Sequence, residues 1–257
     1  MRFSNSIRLL ARISVARTLA IAGRVTFSKE RDFTIEEGRK ELPHAVFSTN
    51  CTDCPRLSGF LECIRREHPD YYARPVAPFG DAKPGLLIVG LAPGLHGANR
   101  TGRPFTGDHA GILLYRTLHR FGFASLVESK SREDGMRLIG CRITNAVKCV
   151  PPANKPNPEE IINCNKYLRD EIKALNENTV ILALGRIAHQ AVLMSLLLKA
   201  RDFPFAHGAE HKLGNGLTLY DSFHCSRYNT QTKRLTPQMF EAVFARITQQ
   251  LRNYKEI

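Results

Sequence analysis

Six side chains in this sequence have types and spacings that suit chemistry. Cys51 and Cys54 stand two residues apart in CTDCPRL, and Cys149 and Cys164 bracket the run CVPPANKPNPEEIINC. A two-residue spacer lets neighbouring thiolates share one metal, and a proline-rich loop feeding a helix brings a second pair to the same place. The quartet therefore has the make-up of a zinc or an iron–sulfur site, and because sulfur ligands suit both, spacing alone does not choose. The other three cysteines, Cys63, Cys141 and Cys225, read as small buried hydrophobes. The remaining two of the six are Asp108, at the end of GLAPGLHGANRTGRPFTGDHAG (residues 90–111), and His224, at the start of SFHCSRYNTQTKRLT (residues 222–236). A carboxylate and an imidazole meeting in one pocket supply a base and a hydrogen-bond donor. Asp108 also directly precedes a helical pattern, so a helix N-cap is an equally good reading of it. The glycines of the first loop let backbone amides approach a ligand closely. Neither G-x-x-x-x-G-K-[ST] nor G-x-G-x-x-G is present, which disfavours nucleotide hydrolysis.

These residues need a frame that brings distant loops together. GLLIVGL at 85–91, RLIGCRITNAV at 137–147, TVILALG at 179–185 and GLTLYDSFH at 216–224 read as strands. Between and after them, helices are expected from about Ala110 to Arg120, from NPEE onward with Pro158 in the first turn, over RIAHQAVLMSLLLK, and from a cap at Thr236 to near the end. Strands alternating with helices give an α/β fold, a three-layer α/β/α sandwich with a mainly parallel central sheet. In such sheets ligands bind beyond the carboxyl ends of the strands, which is where both the glycine loop and His224 fall.

Composition sets the outer limits. The chain has 257 residues, 43% hydrophobic content and a formal net charge of +13, enough for one sizeable core and suited to a polyanionic partner such as nucleic acid. Arg227, Asn229 and Gln231 are among the side chains expected along a nucleic-acid backbone. No window has the roughly 18 apolar residues of a membrane span, so a soluble protein without membrane contact is expected. Residues 1–30 carry arginines and no acidic residue before Glu30, a pattern resembling a transit peptide or a basic arm, and are set apart as a weakly ordered extension. Residues 31–257 are expected to form a single domain.

Taken together, GLAPGLHGANRTGRPFTGDHAG, KCVPPANKPNPEE, ALGRIA and FHCSRYNTQTKRLTPQMF, with the Cys51 and Cys54 pair upstream, resemble the type-b, or family 5, uracil-DNA glycosylases of bacteria and archaea, in the same motif order from about Phe47 to Leu251. The resemblance implies a uracil-DNA glycosylase-like fold and a monofunctional glycosylase that flips uracil, and related damaged bases, out of double-stranded DNA and leaves an abasic site. It implies a 4Fe-4S cluster on Cys51, Cys54, Cys149 and Cys164. By the same resemblance Asp108 activates water or stabilises the sugar cation, His224 hydrogen-bonds uracil O2, and Asn154 recognises the uracil edge. Gly90, Ala92 and Gly94 shape the base pocket, and Phe105 stacks on the base. Arg227, Asn229 and Gln231 contact DNA. A monomer is expected, working on nucleoid DNA in a bacterial cytoplasm, with organelle targeting by residues 1–30 left open. Leu91 stands where many relatives in the wider superfamily place a polar or acidic residue, which makes the pocket more apolar and throws the chemistry onto Asp108. A competing reading is a noncatalytic nucleic-acid-binding module with a structural metal–cysteine site. It accounts for the charge and the quartet, but not for Asp108, Asn154 and His224 on three separate strand-end loops.

Overall fold

The computed structural model of the protein describes residues 47–254; the expected extension, residues 1–30, lies outside the described residues. Four buried strands form the centre of the sheet: β2 (Leu86–Gly90), β3 (Cys141–Asn145), β4 (Val180–Leu184) and β6 (Thr218–Ser222). Of these, β2 and β4 read as nearly continuous apolar runs because both of their faces are covered, as parallel strands require, while β3 and β6 carry polar residues among their apolar ones. Two short strands, β1 (Phe79–Gly80) and β5 (Glu210–Lys212), flank them, and the sheet order is β1-β3-β2-β4-β6-β5. The inner pairs are parallel, while β1 and β5 join antiparallel at the edges.

Alternation along each strand divides the core between two layers. Leu86, Ile88, Leu182 and Tyr220 pack with Leu114 and Leu118 of helix α3 (His109–Arg120) and Phe240, Phe244 and Ile247 of helix α7 (Pro237–Asn253). Leu87, Val89, Ile181 and Leu219 face the opposite way, onto Leu168 and Ile172 of α4 (Pro158–Lys173) and Ala188 and Val192 of α5 (Arg186–Ser195). The sequence-based strand and helix expectations fall on these elements. The helix expected over 186–199 stops at Ser195, where the chain turns through Leu197 at positive φ.

Four local features set up the site. The chain steps from β2 to β3 on one side and then crosses back to β4 on the other, so the loops after β2 and β3 part and leave a crevice. The glycine loop after β2 contains one helical turn, α2 (Ala98–Thr101), and ends at α3, whose N-cap is Asp108. The segment after β6, read above as loop, carries a short helix, α6 (Arg227–Gln231), capped by Ser226. Upstream of the sheet, α1 (Pro55–Glu67) begins immediately after Cys54. Among the described residues no helix is long and apolar enough to cross a membrane.

Candidate active site

A cleft of about 520 Å³ opens beyond the carboxyl ends of β2 and β3. The loops after β2, β3 and β6 all contribute to it, bringing together Ala92, Gly94, Phe105, Asp108, Asn154, His224 and Arg227. These are seven of the residues singled out from the sequence.

Asp108 has the cap geometry and faces the cleft as well. Its Oδ1 accepts from the Gly111 N–H at 2.9 Å, while its other oxygen lies against the glycine loop, 3.4 Å from where a Cβ on Gly94 would sit. The cap and the functional reading are therefore the same geometry: the bond to the helix end fixes the carboxyl, and the second oxygen stays available. Burial raises the Asp108 carboxyl above its ordinary value, although the Gly111 and Ala110 amides and nearby His109 pull it down. His224 carries the complementary bias, for burial pushes its imidazole down to about 4, so the ring is neutral near pH 7. Its ring stacks against Phe105 with centroids 5.9 Å apart.

Phe105 is 6% exposed and belongs both to the core and to the cleft wall. It holds a φ of 54°, a conformation that costs free energy for a bulky residue and persists only where surroundings enforce it. Gly90 does not reach the cleft surface but is needed beneath it: a Cβ there would meet the Phe105 ring at 2.6 Å and press on the Asn145 amide.

Asn145, the last residue of β3, was not singled out from the sequence. It is 2% exposed, lines the cleft, and its Oδ1 has no hydrogen-bond partner within the protein. An unpaired buried amide oxygen costs stability unless a ligand satisfies it. The strand-end position after an apolar run is the signal that would have found it. Asn154 lies on the same cleft but at its rim, exposed, with φ of 56° at the end of the turn Pro152–Asn154.

On α6, Arg227 is exposed at the mouth of the cleft and Gln231 is exposed nearby. The Asn229 side chain turns inward and donates to the His224 carbonyl at 2.8 Å, which fixes the backbone carrying the imidazole. His109 Nε2 lies 2.9 Å from Thr230 Oγ1, tying α6 to α3. His109 was likewise missed, because a histidine inside a helical pattern gives no sign of its partner across the cleft.

The cysteine quartet forms a second centre. Cys51, Cys54, Cys149 and Cys164 line one cavity with Phe47, Leu57, Val147 and Tyr167. Burial raises the Cys149 and Cys164 thiols, Cys164 to about 11, and neighbouring sulfurs push in the same direction, so a bound cation is what would favour their thiolates. Tyr167 Oη donates to Cys51 Sγ at 3.3 Å and the Lys148 N–H donates to Cys164 Sγ at 3.3 Å. Arg56 grips Glu160 with two bonds of 2.7 Å, clipping α1 to α4 beside the cavity. Among the described residues, the group of three or more such donors lying mutually within 4.8 Å is His189, His211 and Asp221.

Comparison with known proteins gives one answer. The family model of the Uracil DNA glycosylase superfamily matches residues 77–248. The chain is 48% identical over 198 residues to the Type-5 uracil-DNA glycosylase of Thermus thermophilus, covering 75% of this chain and 90% of that protein. It is 41% identical over 201 residues to the Type-5 uracil-DNA glycosylase of Pyrobaculum aerophilum, covering 77% and 87%. The Type-4 uracil-DNA glycosylase of the latter organism is 36% identical over 145 residues, covering 56% and 60%.

Proposed function

The chain belongs to the uracil-DNA glycosylase superfamily, with its type-5 members, and on that premise we propose that it hydrolyses the N-glycosidic bond of uracil in double-stranded DNA and leaves an abasic site. The observation that carries the reading is the convergence of Asp108, His224 and Asn145 on one cleft at the carboxyl ends of three strands.

The chemistry follows from the environment of each group. A base inside a duplex shields its glycosidic carbon, so the nucleotide must swing out into the cleft. The Phe105 face receives the ring, and the Asn145 amide, its oxygen otherwise unpaired, accepts from uracil N3–H while its NH₂ donates to O4. As a carboxylate, Asp108 orients the attacking water and stabilises the positive charge that grows on the sugar. Neutral His224 donates a hydrogen bond to uracil O2 as the base leaves with negative charge. A neutral donor suits this task because burial disfavours the imidazolium. Asn154, to which the sequence reading gives the uracil edge, sits exposed at the rim, and in this reading the buried Asn145 takes that role instead, while Tyr228, 69% exposed beside Arg227 on α6, is available for the stack that the base vacates. Leu91 adds an apolar wall, which favours tolerance of other deaminated or damaged bases.

A 4Fe-4S cluster on Cys51, Cys54, Cys149 and Cys164 completes the reading, supported by the all-sulfur donor set in one cavity and the hydrogen-bond donors at Cys51 and Cys164. N-glycoside hydrolysis needs no redox step, so the cluster's contribution is to cross-link α1, the loop after β3 and α4. The test is a uracil-containing duplex incubated with the protein and then treated with alkali. Cleavage at uracil in the wild type and its loss in Asp108→Asn with DNA binding intact is the expected result; full cleavage by Asp108→Asn would overturn the assignment.

A further inference from the structure

Away from the cleft, Asp221 in β6 is wholly buried, and its ion-pair partners among the described residues are two imidazoles and no lysine or arginine. Its Oδ1 lies 2.8 Å from His189 Nδ1 of α5, and its Oδ2 lies 3.1 Å from His211 Nε2 of β5. The other ring nitrogen of His189, Nε2, is 2.9 Å from the Phe203 carbonyl. A carbonyl only accepts, so Nε2 bears the proton. In the neutral ring Nδ1 then presents a lone pair to a carboxylate oxygen, an arrangement that needs a positive charge between them. Either a second proton or a metal cation supplies it.

The geometry points to a divalent transition-metal site, of the Zn²⁺ class, formed by His189 Nδ1, His211 Nε2 and the Asp221 carboxylate. All three donor atoms lie within 4.8 Å of one another, and two imidazoles with one carboxylate suit borderline cations. The Phe203 carbonyl on Nε2–H supplies the outer contact that fixes tautomer and ring direction in metal-bound histidines. Phe205 packs against His189, with ring centroids 5.6 Å apart, and Phe203 against His211 at 5.8 Å, giving the centre an apolar shell. His211, 11% exposed on the edge strand, is the side of the centre open to solvent and gives an ion its entry path. Bound there, the ion joins α5, β5 and β6. It braces the chain between Phe203 and His207, of which Phe205, Ala206 and His207 wall the groove next to His224. The site stands whether or not the cleft has the function proposed above.

The test uses holoprotein with its iron content measured, titrated with Zn²⁺ and separately with Co²⁺, alongside His211→Ala and His189→Gln. Wild type is expected to take up one equivalent of Zn²⁺ and to melt at a higher temperature with it. Both variants should bind roughly ten-fold more weakly or worse and lose the thermal shift. The Co²⁺ difference spectrum should show ligand-field bands without thiolate-to-metal charge transfer. His211→Ala alters a partly exposed edge position, so a folded variant is available even if His189→Gln does not fold. No uptake by wild type, uptake unchanged in His211→Ala, or a thiolate signature in the Co²⁺ spectrum would each overturn the site. The first would leave a proton between the groups, and the others would place the metal on cysteines.

Discussion

Asp108 illustrates how one side chain serves as both cap and reactant, and the two roles separate by choice of substitution. Asn caps a helix as well as Asp, whereas Ala removes the cap at a cost of about 1 kcal/mol. Asp108→Asn should therefore lower the uracil-excision rate by roughly 10²- to 10⁴-fold with no loss of melting temperature at pH 7. A small rise is expected, because a carboxyl whose folded-state pKa is raised by burial penalises the native protein at pH values above that pKa, and the penalty disappears as pH falls through it. Calorimetry beside single-turnover kinetics checks both halves. The same shifts order the pH profile. As pH drops, the wild-type rate falls as Asp108 takes up its proton, from a value raised by burial, while His224 stays neutral until about pH 4. The residual rate of Asp108→Asn should accordingly be flat until the pH nears 4. A fall in that variant at the wild-type midpoint would assign the acid limb to another group.

Among the elements, the loop between β2 and α3 tolerates few added atoms. A Cβ on Gly97 would fall onto the Asp108 carboxyl, 2.6 Å from its Cβ, so Gly97→Ala must displace the reacting group or the loop. Overpacking of this kind costs about 1 to 3 kcal/mol. Gly97→Ala should lose activity nearly as far as Asp108→Asn while also melting lower, a pair of readouts that a purely structural glycine would not give. The sequence made the central frame legible: β2, β4, α3, α4 and α7 announce themselves by apolar runs, periodicity and caps at Asp108 and Thr236. It did not disclose β1 and β5, which have two and three residues, too few for any period, nor α6, five mostly polar residues stabilised by its Ser226 cap. Asn145 escaped notice for a related reason. A polar residue closing an apolar strand looks like the end of the strand until the neighbouring loops show what it faces.

At the scale of the molecule, the net charge of +13 acquires a direction. A groove on one side of the cleft is lined by Arg100, Lys130 and Arg227, and one on the other by Arg186, His207 and Arg234. The cleft shares Arg227 with the first and His224 with the second, so the three form a continuous path with the site in the middle. Arg186 and Arg234 lie over the Phe205 and Phe223 rings, at 5.6 and 4.7 Å, which holds their stems while the charged heads line the groove. Such a path predicts binding driven by release of counterions from phosphates. The logarithm of affinity for a duplex should then fall linearly with the logarithm of salt concentration, and each phosphate contact removed should lower the slope by about 0.9. Arg227→Ala and Arg234→Ala should each reduce the slope by roughly one contact and weaken undamaged and uracil-containing duplexes alike. Arg120→Ala removes a surface charge already paired with Glu241 and should leave the slope unchanged. Fluorescence anisotropy across a salt series decides the matter. If the Arg227 and Arg234 variants kept the wild-type slope, the DNA path would run elsewhere on the surface, and the grooves beside the cleft would have no part in binding.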